Sequence, residues 1–313
     1  MQKQSRSRRN FIKKTSLVGA GLSFLSLSNI QCMFDTKSPY LDSLGVQLWS
    51  VRNQIEADPA GTLKALAEMG YKQIELMDTR QIEKLKPIAD DLGLKINSSF
   101  MLWTTLTGNW DLVPHEKDQT YSFDKILEEA NGAGLSHLVF GYLMKGERDT
   151  LDHWKQRCDE LNEAGIKAKE AGIQLCYHNH SFEFGPIERE IPFEILIDRF
   201  DPKMVQFELD VFWASIGGYD PVQLTERIVD RIGLLHLKDK LVETPVIFDE
   251  GKVPEKAFKE LGNGVVDLPT IIKIAEKAKI KYCFVEQDHS PDPLKSVRES
   301  VEYMQQLPAS RKK

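Results

Sequence analysis

Four runs in the second half of the chain decide the fold: I-Q-L-C-Y-H-N-H (Ile173–His180), M-V-Q-F-E-L-D (Met204–Asp210), I-G-L-L-H-L-K-D (Ile232–Asp239) and K-Y-C-F-V-E-Q-D (Lys281–Asp288). Each is a short apolar, β-branched or aromatic run of the kind that forms a buried strand, and each finishes in His, Asp or Glu. Toward the N-terminus four more such runs follow the same spacing: G-V-Q-L-W-S from Gly45, Y-K-Q-I-E-L-M from Tyr71, L-K-I-N-S-S-F from Leu94 and S-H-L-V-F-G-Y from Ser136. Between the strands lie patterns such as T-L-K-A-L-A-E-M-G (Thr62–Gly70), Q-I-E-K-L-K-P-I-A-D-D-L-G (Gln81–Gly93) and L-P-T-I-I-K-I-A-E-K-A-K (Leu268–Lys279). Their apolar residues recur at i, i+3 and i+4, and Gly70 and Gly93 stand where a helix C-cap belongs. Eight such units over roughly 265 residues predict an α/β protein with one (β/α)8 TIM barrel spanning residues 42–307, since right-handed crossovers turning one way close the sheet on itself. The competing open, doubly wound sheet is disfavoured because no G-x-G-x-x-G follows the first strand and no G-x-x-x-x-G-K-[ST] occurs.

The 313 residues are 41% hydrophobic, with no apolar run long enough to span a membrane. Charge is uneven: residues 1–32 hold six Lys/Arg and no acid, which leaves 35 basic against 47 acidic residues, a net −12, in the remainder. A body that acidic repels phosphate backbones and anionic lipid, so a nucleic-acid partner is excluded and a small neutral substrate such as a sugar is expected. Ser7-Arg8-Arg9-Asn10-Phe11-Ile12-Lys13, followed by an apolar stretch diluted with Gly and Ser, resembles a twin-arginine export signal. That resemblance implies a signal segment over 1–32, a periplasmic location, and a metal or cofactor inserted before export of the folded chain. Cys32 stands where a lipoprotein cysteine could stand, although Gln31 before it is not the small residue such sites prefer. Cys158, Cys176 and Cys283 have no paired spacing and are expected as buried apolar residues. A homodimer is left open.

The strand ends carry the chemistry. His178-Asn179-His180, Asp210, His236 with Lys238 and Asp239, and Glu286 close four consecutive strands, and a barrel brings such ends to one rim. Two histidines with two carboxylates suit Mn2+, Co2+, Fe2+, Ni2+ or Zn2+, whereas Ca2+ takes oxygen ligands. Each residue has a plainer reading too: His236 as a core histidine, Asp210 as a helix cap, Lys238 with Asp239 as a rim ion pair. An unpaired acid after Y-C-F-V would be costly, so Glu286 has the weakest plain reading. The long connections 101–120 and 240–266 follow strand C-termini and are candidate lids.

At these residues the chain resembles the xylose isomerase-like TIM barrels known as sugar phosphate isomerases/epimerases. The resemblance covers roughly residues 42–307 and rests on H-N-H-S-F-E-F from His178, L-D-V-F-W from Leu209, H-L-K-D from His236, G-N-G-V-V-D from Gly262 and V-E-Q-D from Val285. It implies a divalent metal site at Asp210, His236 and Glu286. At the fifth strand the epimerases carry a Glu, and a count of six from Gly172 places His178 there; His180 is the other choice, because both point to the same side of the strand. Losing that Glu removes one of the two acids that epimerases use on opposite faces of a carbon, and the H-x-H end is more similar to inosose dehydratases. Trp213 stands where epimerases often carry a substrate-binding His, which suggests a stacking platform, or else a side chain packed under a loop.

A divalent ion beside a keto sugar acidifies the hydrogen next to the carbonyl, the step common to isomerisation, epimerisation and β-elimination. The catalytic candidates are Glu286 for proton abstraction, His180 for the acid that assists departure and Lys238 for the enolate oxygen. Glu183, as a partner that orients His180, and Asp239 join Trp213 on the substrate side. Export argues for an unphosphorylated sugar. The leading expectation is a metal-dependent lyase or hydratase on 3-keto-glycosides or their 2-hydroxyglycal products. The alternatives are an isomerase or epimerase on an unphosphorylated ketose and a metal-dependent carbohydrate receptor without turnover.

Overall fold

The computed structural model of the protein describes residues 38–113 and 121–307. The signal segment over 1–32, with Cys32, and residues 114–120 of the first long connection lie outside the described residues. All eight expected strands form. They are β1 (Gly45–Gln47), β2 (Gln73–Leu76), β3 (Lys95–Met101), β4 (His137–Phe140), β5 (Gln174–His178), β6 (Val205–Asp210), β7 (Ile232–Leu237) and, after a two-stranded ladder of β8 (Asp239–Lys240) and β9 (Phe258–Lys259), β10 (Tyr282–Val285). The eight longer-range strands pair in parallel and the sheet closes where β1 meets β10, with Gly45 opposite Phe284 and Val46 opposite Val285.

The helices that turn each crossover start and stop where the sequence marks them. The helix Pro59–Met69 opens with Pro at its first turn and the Asp58 side chain accepting from the Gly61 N–H, and Gly70 closes it at φ 110°, a left-handed conformation open to glycine. Leu268–Ala278 is capped in the same way, by Asp267 accepting from the Thr270 N–H. Their apolar faces bury Leu63, Leu66, Ile271 and Ile272 against the outside of the barrel. Inside it, Val139, Cys176, Leu234, Tyr282 and Phe284 fill a closed layer, so the barrel is packed rather than hollow. Cys158, Cys176 and Cys283 are free and buried.

Register then sets the polar layer at the C-terminal rim. Across β5 and β6, His178 lies opposite Glu208, and across β6 and β7, Asp210 lies opposite His236. The connection 240–266 is built rather than loose. Leu241 N–H donates to the Ala257 carbonyl and Ile247 N–H to the Ile216 carbonyl, while Ser181 Oγ donates to the Phe248 carbonyl. At its far side Glu250 accepts from Arg148 at 2.6 Å and from the Tyr142 hydroxyl at 2.7 Å, which fastens the connection to the loop after β4.

Candidate active site

Alternation along β6 puts Glu208 and Asp210 on one face, two residues apart, pointing into the barrel mouth. Asp210 also caps the short helix Val211–Ile216: its Oδ1 accepts from the Trp213 N–H at 2.8 Å, an interaction worth about 1 kcal/mol. The helix-cap reading and the site reading of this residue are therefore both realised, one on each oxygen. Oδ2 is buried without a hydrogen bond; around it stand Lys238 Nζ at 3.2 Å, His236 Nδ1 at 3.9 Å and His178 Nε2 at 4.0 Å.

Both histidines have a front and a rear. His236 turns Nδ1 toward Glu286 at 2.9 Å and Nε2 toward Glu75 at 2.7 Å and Glu208 at 3.3 Å. His178 turns Nδ1 toward Glu208 at 3.1 Å, which leaves Nε2 facing Asp210. Glu208 thus sits behind two imidazoles at once, the arrangement that fixes ring orientation for metal ligation. Gln47 at the end of β1 donates to Glu75 at 2.8 Å and holds that carboxylate in turn. Phe100 packs against both imidazoles, with ring centres at 5.2 Å from His178 and 5.9 Å from His236.

Lys238 stands at the upper edge with Nζ 2.6 Å from Glu286, 2.9 Å from Asp288 and 3.2 Å from Asp210. It does not pair with Asp239, contrary to the rim ion-pair reading. Asp239 directs both oxygens to backbone amides, of Lys240 and Val266 on one side and of Gly262 and Gly264 on the other. That occupation corrects its assignment to the substrate: Asp239 shapes the turn at Gly262, whose φ of 85° suits glycine, and has no free oxygen to offer. Glu183 accepts the backbone N–H of His180 and the Tyr177 hydroxyl, both at 2.9 Å, so it is placed to orient His180, through the main chain rather than the ring, and is wholly buried.

His180 has its ring 5.0 Å from His178 and 5.2 Å from Trp213, with Nδ1 buried and unpartnered. Trp213 is only 4% exposed: it packs with Phe212, Val253 and Phe258 beneath the 240–266 connection and meets the site through His180 and Lys238. It is a wall, not the open platform that stacking would need.

Protonation follows from burial and neighbours. For Glu286, burial favours the acid, but Lys238 and His236 outweigh it and bring the carboxyl down to about 2, so it is ionised. Burial, with Lys238 adding to it, pushes His180 down to about 3, so the ring is neutral at ordinary pH. A neutral ring still carries one N–H to offer to a departing oxygen. Burial works against charge on Lys238 too, yet Asp210, Asp288 and Glu286 hold its ammonium well above the ordinary range.

The residues present fit a divalent ion. The carboxyls of Glu75, Glu208, Asp210, Glu286 and Asp288 converge on Lys238 and two imidazoles, all at most 9% exposed; burial pushes those of Glu208, Asp210 and Asp288 up, and a dication would favour their ionised forms. His178, Asp210 and His236 offer ligand atoms within 4.8 Å of one another, with mixed N and O donors of the kind Zn2+, Mn2+ or Fe2+ accept. Glu75, Glu208 and His236 form a second such group deeper in the barrel, and its carboxylates are the rear partners of the imidazoles. Sequence reasoning missed Glu75, Glu208 and Asp288. The signal was present in I-E-L and F-E-L-D, where a lone acid sits inward between apolar residues, Glu208 two places before Asp210.

Comparison with known proteins agrees with the barrel fold. A family model described as xylose isomerase-like TIM barrel matches residues 63–307. The inosose dehydratase of Geobacillus kaustophilus is 30% identical over 171 residues, covering 51% of this chain and 55% of that enzyme; that of Clostridium perfringens is 25% identical over 270 residues, covering 78% and 88%. The first alignment therefore spans little more than half of its relative's length. Among solved structures, a sugar phosphate isomerase/epimerase from Parabacteroides distasonis superposes with a TM-score of 0.66 at 26% identity, covering 86% of this chain and 96% of that one.

Proposed function

The chain belongs to the xylose isomerase-like TIM barrel family, and from that premise we propose that it is a metal-dependent carbon–oxygen lyase of the dehydratase or hydratase type, acting on 3-keto-glycosides or their 2-hydroxyglycal products. The carrying observation is the pairing of an ionised Glu286 with a charged Lys238 at 2.6 Å, beside a facing set of His178, Asp210 and His236. Inosose dehydratases among the relatives support elimination from a cyclic keto polyol. His178, Asp210, His236 and Glu286 would hold the ion, which supplies Lewis acidity that weakens the C–H bond beside the ketone.

The chain's own groups do the rest. Glu286 takes the proton from the carbon next to the carbonyl, and the electron pair moves to the carbonyl oxygen, where Lys238 donates a hydrogen bond to the growing charge. As the carbonyl re-forms, the C–O bond at the β-position breaks. Neutral His180 donates a hydrogen bond to the departing oxygen, as a neutral imidazole polarises oxygen in other barrel enzymes, and that oxygen leaves as water or an alcohol with the proton Glu286 removed, which returns the carboxylate to its starting state. Trp213 and Phe100 exclude water from this step.

A second reading, an isomerase or epimerase on a free ketose, draws support from the Parabacteroides neighbour. It needs a second proton carrier on the opposite face. The spacing from Gly172 puts His178, a neutral ring, at the position of the epimerases' Glu, which supports elimination. A proton NMR time course of the metal-loaded chain in D2O, with a 3-keto-glucoside and a plain ketose in separate tubes, decides between them. Release of the glycosidic substituent in the first tube, abolished by Glu286→Gln, is the expected result. Deuterium wash-in or a new epimer in the second tube, with the first unchanged, would overturn it. The export route and periplasmic location remain part of the proposal, since a sugar met outside the cytoplasm is more plausibly unphosphorylated.

A further inference from the structure

Next to the cluster lies a cavity of about 500 Å3 on the same rim, built by the segments after β1 and β10 and by residues 255–260 of the long connection. That volume falls within the ~300–1,000 Å3 of small-molecule sites. Asp288 is the wall it shares with the proposed catalytic groups: the carboxylate lines the cavity, and its Oδ1 accepts from Lys238, whose Nζ is 2.6 Å from Glu286. Asp288 is thus the point where the cavity meets the cluster.

The lining has the character of a carbohydrate site. Phe258, itself buried, backs the cavity; it packs edge-on against Trp213 at 5.5 Å and against the half-exposed imidazole of His289 at 4.9 Å, so His289 is the ring that faces the opening. Facing it are the side-chain amides of Asn53 and Gln54, which can donate to and accept from hydroxyls. Charge is balanced, with Arg52, Lys256 and Lys259 set against Glu255, Glu260 and Asp288. Arg52 is also engaged, donating to the carbonyls of Trp49 and Asp288. A charge-balanced cavity lined by side-chain amides favours a neutral polyhydroxylated ring over an anion.

We infer that this cavity is a second sugar subsite that receives the leaving group, so that the substrate is a two-ring keto-glycoside rather than a single keto ring. This rests on the lyase reading above and adds the size and neutrality of the departing part. The test compares the metal-loaded full chain on 3-keto-maltose and on methyl 3-keto-glucoside, as wild type and as Asn53→Trp, which places a bulky ring in the cavity from an exposed position. The expected result is a KM for the disaccharide at least about tenfold below that for the methyl glycoside, and loss of that advantage in Asn53→Trp through a rise in the disaccharide's KM. Equal KM values in the wild type, or a variant that slows both substrates alike, would overturn it. If neither compound turns over, the lyase reading has failed, and saturation-transfer NMR with unoxidised maltose and glucose tests the subsite alone. Contacts to both maltose rings, lost in Asn53→Trp, support the subsite; no maltose contact refutes it.

Discussion

The two halves of the barrel end differently. Strands β1, β3 and β4 finish in Gln47, Met101 and Phe140, whereas β5, β6, β7 and β10 carry His178, Asp210, His236 and Glu286 at or just past their ends. Packing explains the division. On the first half, Phe100 lies against the imidazoles and Gln47 holds Glu75, so these residues position groups that belong to the other side. Only Glu75 crosses the division, and it does so as the rear partner of His236. Such an asymmetric rim concentrates ionisable groups on neighbouring strands, where register can bring them within reach of one ion, and leaves the opposite wall for shape.

The most severe way to sharpen this contrast is Glu286→Gln. It removes the proposed base, which is also a proposed ligand and the buried partner of Lys238 and His236, while keeping shape, and should lower kcat on a keto sugar by about 10^3-fold or more. Next is Glu208→Gln, which withdraws the shared rear carboxylate of His178 and His236 and should weaken Mn2+ or Zn2+ affinity by about 10–100-fold in calorimetric titration. On the first half, Phe140→Leu should cost about 1 kcal/mol of stability in a denaturant melt and leave kcat within about threefold. A catalytic loss there as deep as that of Glu286→Gln would break the comparison.

The smallest effect concerns pH. Burial raises the Glu183 carboxyl from an ordinary 4.5 to about 8, against the pull of its hydrogen bonds from the backbone and Tyr177 and the charge of Arg148. Below about 4.5 both folded and unfolded chains hold the proton. Between about 4.5 and 8 only the folded chain does, so this residue's contribution to stability falls as pH rises through that window and then levels off. Glu183→Gln should flatten that fall, read as a melting-temperature difference from wild type that grows toward pH 8.

Much of this was legible in the sequence because a barrel strand announces itself twice, by its apolar run and by the polar residue that ends it. Each of the eight runs became a strand, and the ends at His178, Asp210, His236 and Glu286 met at one rim. What stayed hidden depended on contacts between distant segments. Asp239 lies beside Lys238 in H-L-K-D, yet its oxygens go to amides of Gly262 and Gly264, more than twenty residues on, and no local pattern announces that turn. Trp213 was equally opaque, because Val253 and Phe258, which cover it, come from the long connection. Glu75 and Glu208 lay open to an alternation argument, but a single inward acid acquires its meaning only when register sets it behind a histidine on another strand.

We propose that the ends of β5, β6, β7 and β10 hold one divalent ion, with His178 rather than His180 as the β5 ligand. The direct test is metal titration by calorimetry, with stoichiometry from elemental analysis, on wild type, His178→Ala and His180→Ala. One ion per chain is predicted for wild type and for His180→Ala, with affinity within a few-fold, and a loss of about 100-fold or more for His178→Ala, since only His178 faces Asp210 and His236. Retention of the ion by His178→Ala, or its loss from His180→Ala alone, would contradict the account.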